Sequence, residues 1–362
     1  MFKLPEYTPP DFDREPFVSA PDVKTAPAPE DGAVPENFCA TSIFPEYFKW
    51  AGQWHLIRES RMDCAVVMRG GKPEAVEFRN VKAGEAVVLG RSEDGSQGIY
   101  VHSRAFKDAP ESAGDAFAFR TSCTRETAFS SDYERFYQIL EHERDHGYIL
   151  WVLGPAVTFD FDTRKAMASL IKNGYAHAIF AGNALATHDL ESHFFHTALG
   201  QDIYTKFNCP GGHYHHLETI NRARACGSLE NLVKKYCIRD GIVAACINKQ
   251  IPLVLAGSIR DDGPLSDVIS DVYAAQDAMR RYTRKATTVI CLATQLHTIA
   301  TGNMTSSYCV RDGAVRPVYF YTVDISEFAV NKLKDRGSLS SESFITNIQD
   351  FVVHTERRLV GR

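Results

Sequence analysis

The stretch that decides the fold is Ile251-Pro252-Leu253-Val254-Leu255-Ala256-Gly257-Ser258-Ile259-Arg260-Asp261-Asp262-Gly263-Pro264-Leu265-Ser266-Asp267-Val268. An apolar strand, 251–256, empties into Gly-Ser. One arginine, two carboxylates and a Gly-Pro turn follow. In an open α/β sheet ligands bind outside the carboxyl ends of the strands. A dense polar loop at such an end is poor core material and good site material. Alone it reads equally well as a solvated turn, so the flanking segments decide.

Working outward, the pattern repeats. Tyr148-Ile149-Leu150-Trp151-Val152-Leu153 is a continuous apolar run closed by Gly154-Pro155, and Ala178-Ile179-Phe180-Ala181 is closed by Gly182. Further strands are expected at 253–256, 288–293 and 318–323. Helices are expected from Ser130 or Ser131 to about His146, and over 163–173, 184–198, 215–225, 228–237, 239–249, 265–282 and 326–336. Phe344, Ile348, Phe351 and Val352 stand at helical spacing and predict a closing helix over 341–358. Continuous apolar strands alternating with helices predict a parallel sheet covered on both faces.

The first third differs. Short strands at 63–68, 75–78, 86–90 and 98–101, with a turn at Arg69-Gly70-Gly71-Lys72, predict a small β domain. Residues 1–33 are rich in proline and acid and lack apolar periodicity, which predicts an extended arm or disordered tail. The expected organisation is therefore an arm (1–33), a small β-rich domain with its connector (34–128) and an α/β domain (129–362). The fold class is α/β: a three-layer Rossmann-like parallel sheet preceded by a small β domain. No Gly-x-Gly-x-x-Gly follows the first strand, so the standard dinucleotide turn is not indicated.

Composition narrows the function. The 362 residues carry a net charge of −5, and no basic block exceeds two residues, which argues against a nucleic-acid surface. No apolar run approaches the ~18 residues of a membrane span, and the N-terminus lacks a signal-peptide core. Nine scattered cysteines without a Cys-x-x-Cys pair point to reduced thiols and a cytoplasmic protein, with no metal site expected. His142-Glu143-Arg144-Asp145-His146 matches the zinc-protease spacing, but Gly147 ends the helix and an apolar strand begins at once, which favours two surface histidines in a polar last turn. His213, His215 and His216 follow Gly211-Gly212 without carboxylates at ligand spacing, and point toward substrate or a helix start rather than a metal.

The remaining candidates sit at strand ends. They are Gly182-Asn183-Ala184 with His188 and Asp189, Gly257-Ser258-Ile259, Ala293-Thr294 with His297, and Asp324. Glycines admit a ligand to the backbone and helix N-termini favour phosphate. Asp324 suits ribose hydroxyls, and equally suits a cap on the helix near Ser326.

Together these runs resemble the archaeal-type ornithine cyclodeaminases. That family is also known as the conserved region of the lysine-oxoglutarate reductase/saccharopine dehydrogenase bifunctional enzymes and as the C-terminal part of a cyanobacterial arginine-degrading bifunctional enzyme. The resemblance is carried by Ala181-Gly182-Asn183-Ala184-Leu185-Ala186-Thr187-His188-Asp189, Asn221-Arg222, Gly227-Ser228, 255–268, Leu292-Ala293-Thr294-Gln295-Leu296-His297, Gly302-Asn303-Met304, Val323-Asp324-Ile325 and Asp335-Arg336-Gly337-Ser338. Pro35-Glu36-Asn37-Phe38-Cys39-Ala40-Thr41-Ser42 and Met62-Asp63-Cys64 look like its N-terminal domain.

The resemblance implies bound NAD in a domain related to deoxyhypusine synthase, a homo-oligomer (dimer or tetramer), a small amino-acid substrate, and conversion of L-ornithine to L-proline and ammonia. NAD would touch Gly182, Asn183, Ala184, Gly257, Ser258, Ile259, Ala293, Thr294, His297 and Asp324. Arg260 would grip the substrate carboxylate. Asp261 or Asp262 would hold the amine or act as acid/base, with His188, Asp189 and His216 as further catalytic candidates. Three segments depart from the family pattern: Thr158-Phe159-Asp160-Phe161-Asp162, Ile43-Phe44-Pro45 and Tyr214-His215. Two alternatives stand beside this reading. One is an NAD enzyme on the same scaffold with another diamino or imino acid. The other is a non-catalytic NAD-binding protein.

Overall fold

The computed structural model describes residues 2–106, 131–326 and 341–361. The expected connector over 111–128 and the helix over 326–336 fall almost wholly outside them.

The N-terminal region is two small antiparallel sheets. Strands β1 (Lys24–Pro27), β2 (Glu46–Trp50), β3 (Gln53–Leu56), β4 (Ala65–Arg69), β5 (Lys72–Val76), β6 (Ala86–Leu89) and β7 (Ile99–Val101) form the orders β1-β6-β4-β5 and β3-β2-β7. Alternation along β4 and β6 sends Val66 and Val88 into a core with Phe48 and Ile57 of the other sheet, and Val67 and Val87 into a second cluster.

The segment expected as an arm belongs to this region. Its residues 24–27 pair antiparallel with β6, with Pro27 on an edge strand where the lost donor costs nothing. Phe12 stacks on Trp54 with centroids 4.9 Å apart. The buried Lys49 donates Nζ hydrogens to the carbonyls of Phe17, Val18 and Ala20 at 3.1, 3.0 and 2.8 Å. Composition hides this because the segment is held by aromatic and backbone contacts made elsewhere in the chain.

The second region runs α1 (Ser131–His146), β8 (Ile149–Leu153), α2 (Phe161–Lys172), β9 (Ala178–Ala181), α3 (Asn183–Phe195), the hairpin β10 (Thr197–Ala198) and β11 (Gln201–Asp202), α4 (His213–Cys226), α5 (Leu229–Lys235), α6 (Gly241–Lys249), β12 (Leu253–Ala256), β13 (Val268–Ile269), α7 (Val272–Thr283), β14 (Thr288–Leu292) and α8 (Gln295–Met304). It continues through the hairpin β15 (Tyr308–Arg311) and β16 (Ala314–Pro317), then β17 (Tyr319–Asp324), β18 (Ser341–Ile345) and α9 (Ile348–Leu359). Seven strands form one parallel sheet, ordered β13-β12-β9-β8-β14-β17-β18. Leaving out the two-residue edge strand β13, this is the doubly wound order 3-2-1-4-5-6 of dinucleotide-binding sheets. Along β8 every residue is buried: Ile149, Trp151 and Leu153 face a core with α1, α2, α3, α6 and α9, while Leu150 and Val152 face α7. That is why its sequence is unbroken apolar.

Two expectations change. The helix expected over 265–282 begins at Val272, because Val268 and Ile269 pair with Leu255 and Ala256 and the Asp271 side chain caps the helix through Ala274 N. The closing helix expected over 341–358 is shorter, because 341–345 form the seventh strand and Asn347 starts α9. Phe344 and Ile348 share a helical interval by accident: one belongs to a strand and the other to a helix.

The two regions interlock on the α7 side. Arg280, 5% exposed, donates to Met304 O and to Glu59 O and Ser60 O, and Ile43 O accepts from Ser306 and Ser307. On the other face Asp189, 1% exposed, accepts from Arg164 Nε at 2.7 Å and from the backbone of Ile242 and Val243 at 3.0 and 2.8 Å, tying α2, α3 and α6 together. Removing Asp189 leaves the buried Arg164 only the exposed Asp240, at 2.6 Å, and strands the Ile242 and Val243 N–H groups. Asp189→Ala should therefore cost about 3–5 kcal/mol in chemical denaturation; a loss below about 1 kcal/mol would contradict the tie.

Candidate active site

The carboxyl ends of the parallel strands lie on one rim. At its centre, where β8 and β14 part company in the winding, Gly154 N donates to Leu292 O at 2.8 Å. A Cβ on Gly154 would lie 2.0 Å from Ala293 O, so only glycine fits. Ala293 has a left-handed backbone (φ 46°), which costs energy for a residue with a Cβ and marks a site-like strain. Pro155 follows and has no N–H. The first strand-to-helix turn, where a dinucleotide fold holds pyrophosphate, is therefore closed.

The next turn is open. Gly182 starts α3 without a side-chain cap, and Gly182, Asn183 and Ala184 are partly exposed. Asn183 Oδ1 accepts from Leu265 N at 3.0 Å and so ties the 257–265 loop to α3. Three strand ends meet at His297. Its Cε1 would be 3.2 Å from a Cβ on Gly182, its Nδ1 is 3.4 Å from Thr294 Oγ1, and it interacts with the Ala256 backbone and the Asp261 carboxylate. Burial holds the His297 imidazole below its ordinary pKa, against the upward pull of Ala256 and Asp261. Ile259, Leu296 and Ile325, each just past β12, in the first turn of α8 and just past β17, expose apolar side chains on this rim.

Within the 257–265 loop the acidic residues divide. Asp261 Oδ2 accepts from Ser258 N at 2.8 Å and Asp261 N returns to Ser258 O at 3.0 Å, so Asp261 braces the turn. Arg260 and Asp262 are exposed. Asp267 accepts from Leu229 N at 2.8 Å. Asp324 Oδ1 accepts from Ser326 N at 2.9 Å, the local turn bond that competes with ribose binding.

The pairing of His188 with Asp189 does not occur. Successive helical residues point about 100° apart, and Asp189 spends both oxygens on the α2–α6 tie. The partner of His188 is Glu191, one turn on: Nδ1 lies 2.8 Å from Glu191 Oε2. Glu191 is fully buried and also accepts from Thr197 Oγ1, Gly200 N and Leu199 N at 2.7, 2.9 and 3.1 Å. Burial pushes its pKa up, yet the hydrogen bonds from His188, Gly200 and Thr197 hold it below the ordinary carboxylate value. The His188 ring sits 5.5 Å from Phe159 and 6.3 Å from His216. Phe159 and Leu199, with Asp160, Lys206, Asn347 and Asp350, line a recess of about 500 Å³. Sequence reading missed Glu191, although His-x-x-Glu on a helix puts both groups on one face. His142 bonds Glu143, whose buried carboxylate is taken by Arg316 at 2.5 Å. Among the described residues no cluster of three His, Cys, Asp or Glu could hold a metal ion, and no helix is long and apolar enough to cross a membrane.

Residues 135–355 match the family model described as arginine dihydrolase ArgZ-like, C-terminal, Rossmann fold, and residues 45–127 match its first region. The chain belongs to the ArgZ-like C-terminal family. It is 38% identical over 345 residues to the ornithine cyclodeaminase of Methanopyrus kandleri, covering 94% of this chain and 79% of that protein. A conserved LOR/SDH-type protein of Methanococcus maripaludis S2 superposes with a TM-score of 0.84 at 34% identity, covering 94% and 98% of the two chains. The ternary complex of AgrE with ornithine and NAD+ superposes at 0.57 with 31% identity, over 94% of this chain and 46% of AgrE. The resemblance drawn from the strand-end motifs is thus the family of the chain, and the Rossmann-like sheet after a small β region is its fold.

Because His297 is half-buried and its pKa is lowered by that desolvation, its resonance should titrate below the ordinary imidazole value of 6.5 in an NMR pH series. A midpoint at or above 6.5 would contradict its placement.

Proposed function

We propose that this chain is an NAD-dependent cyclodeaminase that converts L-ornithine to L-proline and ammonia. The observation that carries this reading is the meeting of three strand ends at His297 beside the uncapped start of α3, on a sheet with dinucleotide-binding order. It is supported by the names of the relatives and by the AgrE complex with ornithine and NAD+. NAD, when bound, takes hydride from the substrate Cα and returns it, so the reaction has no net redox change.

The residues present fit that cofactor. The uncapped start of α3 at Gly182, Asn183 and Ala184 suits the pyrophosphate. Gly257, Ser258 and Thr294 admit the backbone-side approach, and Ile259, Leu296 and Ile325 offer apolar cover for flat rings. A neutral His297 adds no positive charge against an oxidised nicotinamide. Ala293 fixes the rim by its carbonyl, and Asp324 stands at the strand end suited to ribose.

For the substrate, the exposed Arg260 suits the carboxylate and the exposed Asp262 an ammonium. Asp261 serves by shaping the loop that presents both. His188 and His216 are the proton-moving candidates. We place the enzyme in the cytoplasm as a homo-oligomer; exposed Tyr204, Phe207, Tyr214 and Leu217 along 204–217 support self-association.

A second reading keeps the scaffold and changes the diamino or imino acid. It is favoured by Phe159 and Asp160, which depart from the family pattern and line the recess beside His188.

Purified protein should carry NAD, seen by absorbance and mass, and should release ammonia and proline from ornithine in preference to lysine or 2,4-diaminobutyrate. Turnover of another diamine would select the second reading, and absence of both NAD and turnover would sink the first. Arg260→Ala should raise KM for ornithine about tenfold to a hundredfold, the worth of a charge-assisted contact, with NAD affinity unchanged. Asp262→Asn should impair turnover without loss of stability, whereas Asp261→Asn should loosen the loop and weaken NAD and substrate together.

A further inference from the structure

We propose that Glu191 is a positioning residue that fixes the tautomer of His188, and that His188 is the group that carries a proton from the substrate's δ-nitrogen to its departing α-nitrogen. This rests on the cyclodeaminase reading above for its chemistry, and on geometry for the rest.

The geometry is a buried acid holding an imidazole. Glu191 lies at 0% exposure with four donors around it, two of them consecutive backbone N–H groups at Leu199 and Gly200. Leu199 and Gly200 both have left-handed backbones, φ 52° and 73°, which turns their N–H groups toward one anion. A leucine accepts that conformation only at a cost, so the chain spends strain to keep Glu191 charged. Leu199 N is closer to Glu191 Oε2 (3.1 Å) than to His188 Nδ1 (3.4 Å), so the carboxylate takes the Leu199 hydrogen and Nδ1 carries its own to Glu191. Nε2 of His188 is thereby the basic nitrogen. Its ring is flanked by Phe159, which with Leu199 walls the 500 Å³ recess.

The titratable groups around His188 are few and identified. Glu191 lies on its own helix. From α4 come His216, whose Nδ1 is buried without a hydrogen-bond partner, and His213 beyond it. His215 reaches the cluster through Thr197 Oγ1 at 2.8 Å and stacks on Phe195. On the other side of α3 the buried Arg164 is shared by Asp189 at 2.7 Å and by the exposed Asp240 at 2.6 Å, which also holds His193, and on the Phe159 side Asp160 pairs with Lys206 at 3.1 Å. Burial lowers the pKa of His216, so a second imidazole stands neutral beside the first and can relay a proton.

Cyclisation needs such a carrier. With the Cα oxidised by the nicotinamide cofactor proposed above, the δ-ammonium loses one proton to solvent and its free nitrogen bonds to Cα. That nitrogen, now a ring ammonium, must lose a second proton, and the α-nitrogen must gain one, before the Cα–Nα bond can break. His188 Nε2 takes this second proton and returns it to the α-nitrogen, so the imidazole ends as it began, the ring nitrogen's lone pair forms the cyclic iminium and ammonia leaves. A carboxylate that holds Nδ1–H keeps Nε2 free and stabilises the imidazolium between the two transfers.

The test uses the NAD-loaded full chain with 15N-labelled histidine. In wild type, the His188 signal, assigned by its loss in His188→Asn, should show the Nδ1–H tautomer. Glu191→Gln should abolish that preference. It should also lower kcat by about a hundredfold or more, the usual share of a positioned acid/base, with KM for ornithine nearly unchanged. Glu191→Asp should recover part of the rate. If Glu191→Gln unfolds, Thr197→Val, which removes one donor to Glu191, should weaken the same tautomer preference and lower kcat in a folded protein. An unchanged tautomer, or kcat within about threefold of wild type, would overturn the proposal. Wild-type protein that shows the tautomer but never turns over ornithine would instead overturn the substrate reading, and the same tautomer and rate measurements with the active diamine would decide the role of Glu191.

Discussion

The Arg164–Asp189 pair is the constraint on which the site depends. A fully buried carboxylate bonded to a guanidinium and two backbone amides fixes the rotation of α3 about its axis as well as its position. One residue earlier, His188 must then point about a quarter-turn away, and Glu191 follows it on the same face. The helix start, at Gly182 and Asn183, is set by the end of β9. A single thirteen-residue helix thus carries an open N-terminus toward the rim, an acid–imidazole pair on one side and its own anchor on the other. Desolvating Asp189 is costly, and the pair is retained because rotation of α3 would scatter the two functional features together.

The closed first turn explains why a sheet with dinucleotide order lacks the usual fingerprint. The fingerprint glycines serve to bring pyrophosphate onto free N–H groups. Here the Gly154 N–H belongs to Leu292, the space above it belongs to the Ala293 carbonyl, and Pro155 has no hydrogen to give. A missing Gly-x-Gly-x-x-Gly therefore says where phosphate is not held, and says nothing against the sheet. The uncapped helix start lies one strand over, at α3. His297 occupies the close approach to Gly182 that a larger residue there would block.

Much of this was legible in the sequence, for identifiable reasons. β8, β9, β12, β14 and β17 are buried on both faces, so their residues are apolar apart from Thr288, Thr322 and the terminal Asp324, and β8, β9 and β12 are each followed by glycine. The strands missed are those whose sequence serves two masters. β13 is two residues long, and 341–345 mixes serine and glutamate with one buried phenylalanine, Phe344. The arm failed for the opposite reason: its prolines and acids announce disorder, while Phe12 and Phe17 find Trp54 and Tyr100 only in three dimensions. At the site, Gly182, Ala293 and His297 could be placed from their strand ends. Asp189 was misread because adjacency in sequence was taken for adjacency in space, and Glu191 was passed over because a buried acid in a helix is recognised by its partners.

The proposed assignment would let substrate choice drift while the cofactor site stays put. The groups proposed to face the cofactor belong to strand ends and helix starts, whose positions are set by the sheet and by the Asp189 tie. The groups suited to the substrate belong to loops: Arg260 and Asp262 ride on a turn braced by one Ser258–Asp261 pair, and Phe159, Asp160 and Leu199 wall the recess from short connections. A side-chain change in a loop alters a pocket without disturbing the core. Lys206 bridges Asp160 to the carbonyls of Phe159 and Ile203, so one surface lysine sets the distance between two of those walls. Changes in such connections would retune the recess beside His188 and leave α3 and the strand ends in place.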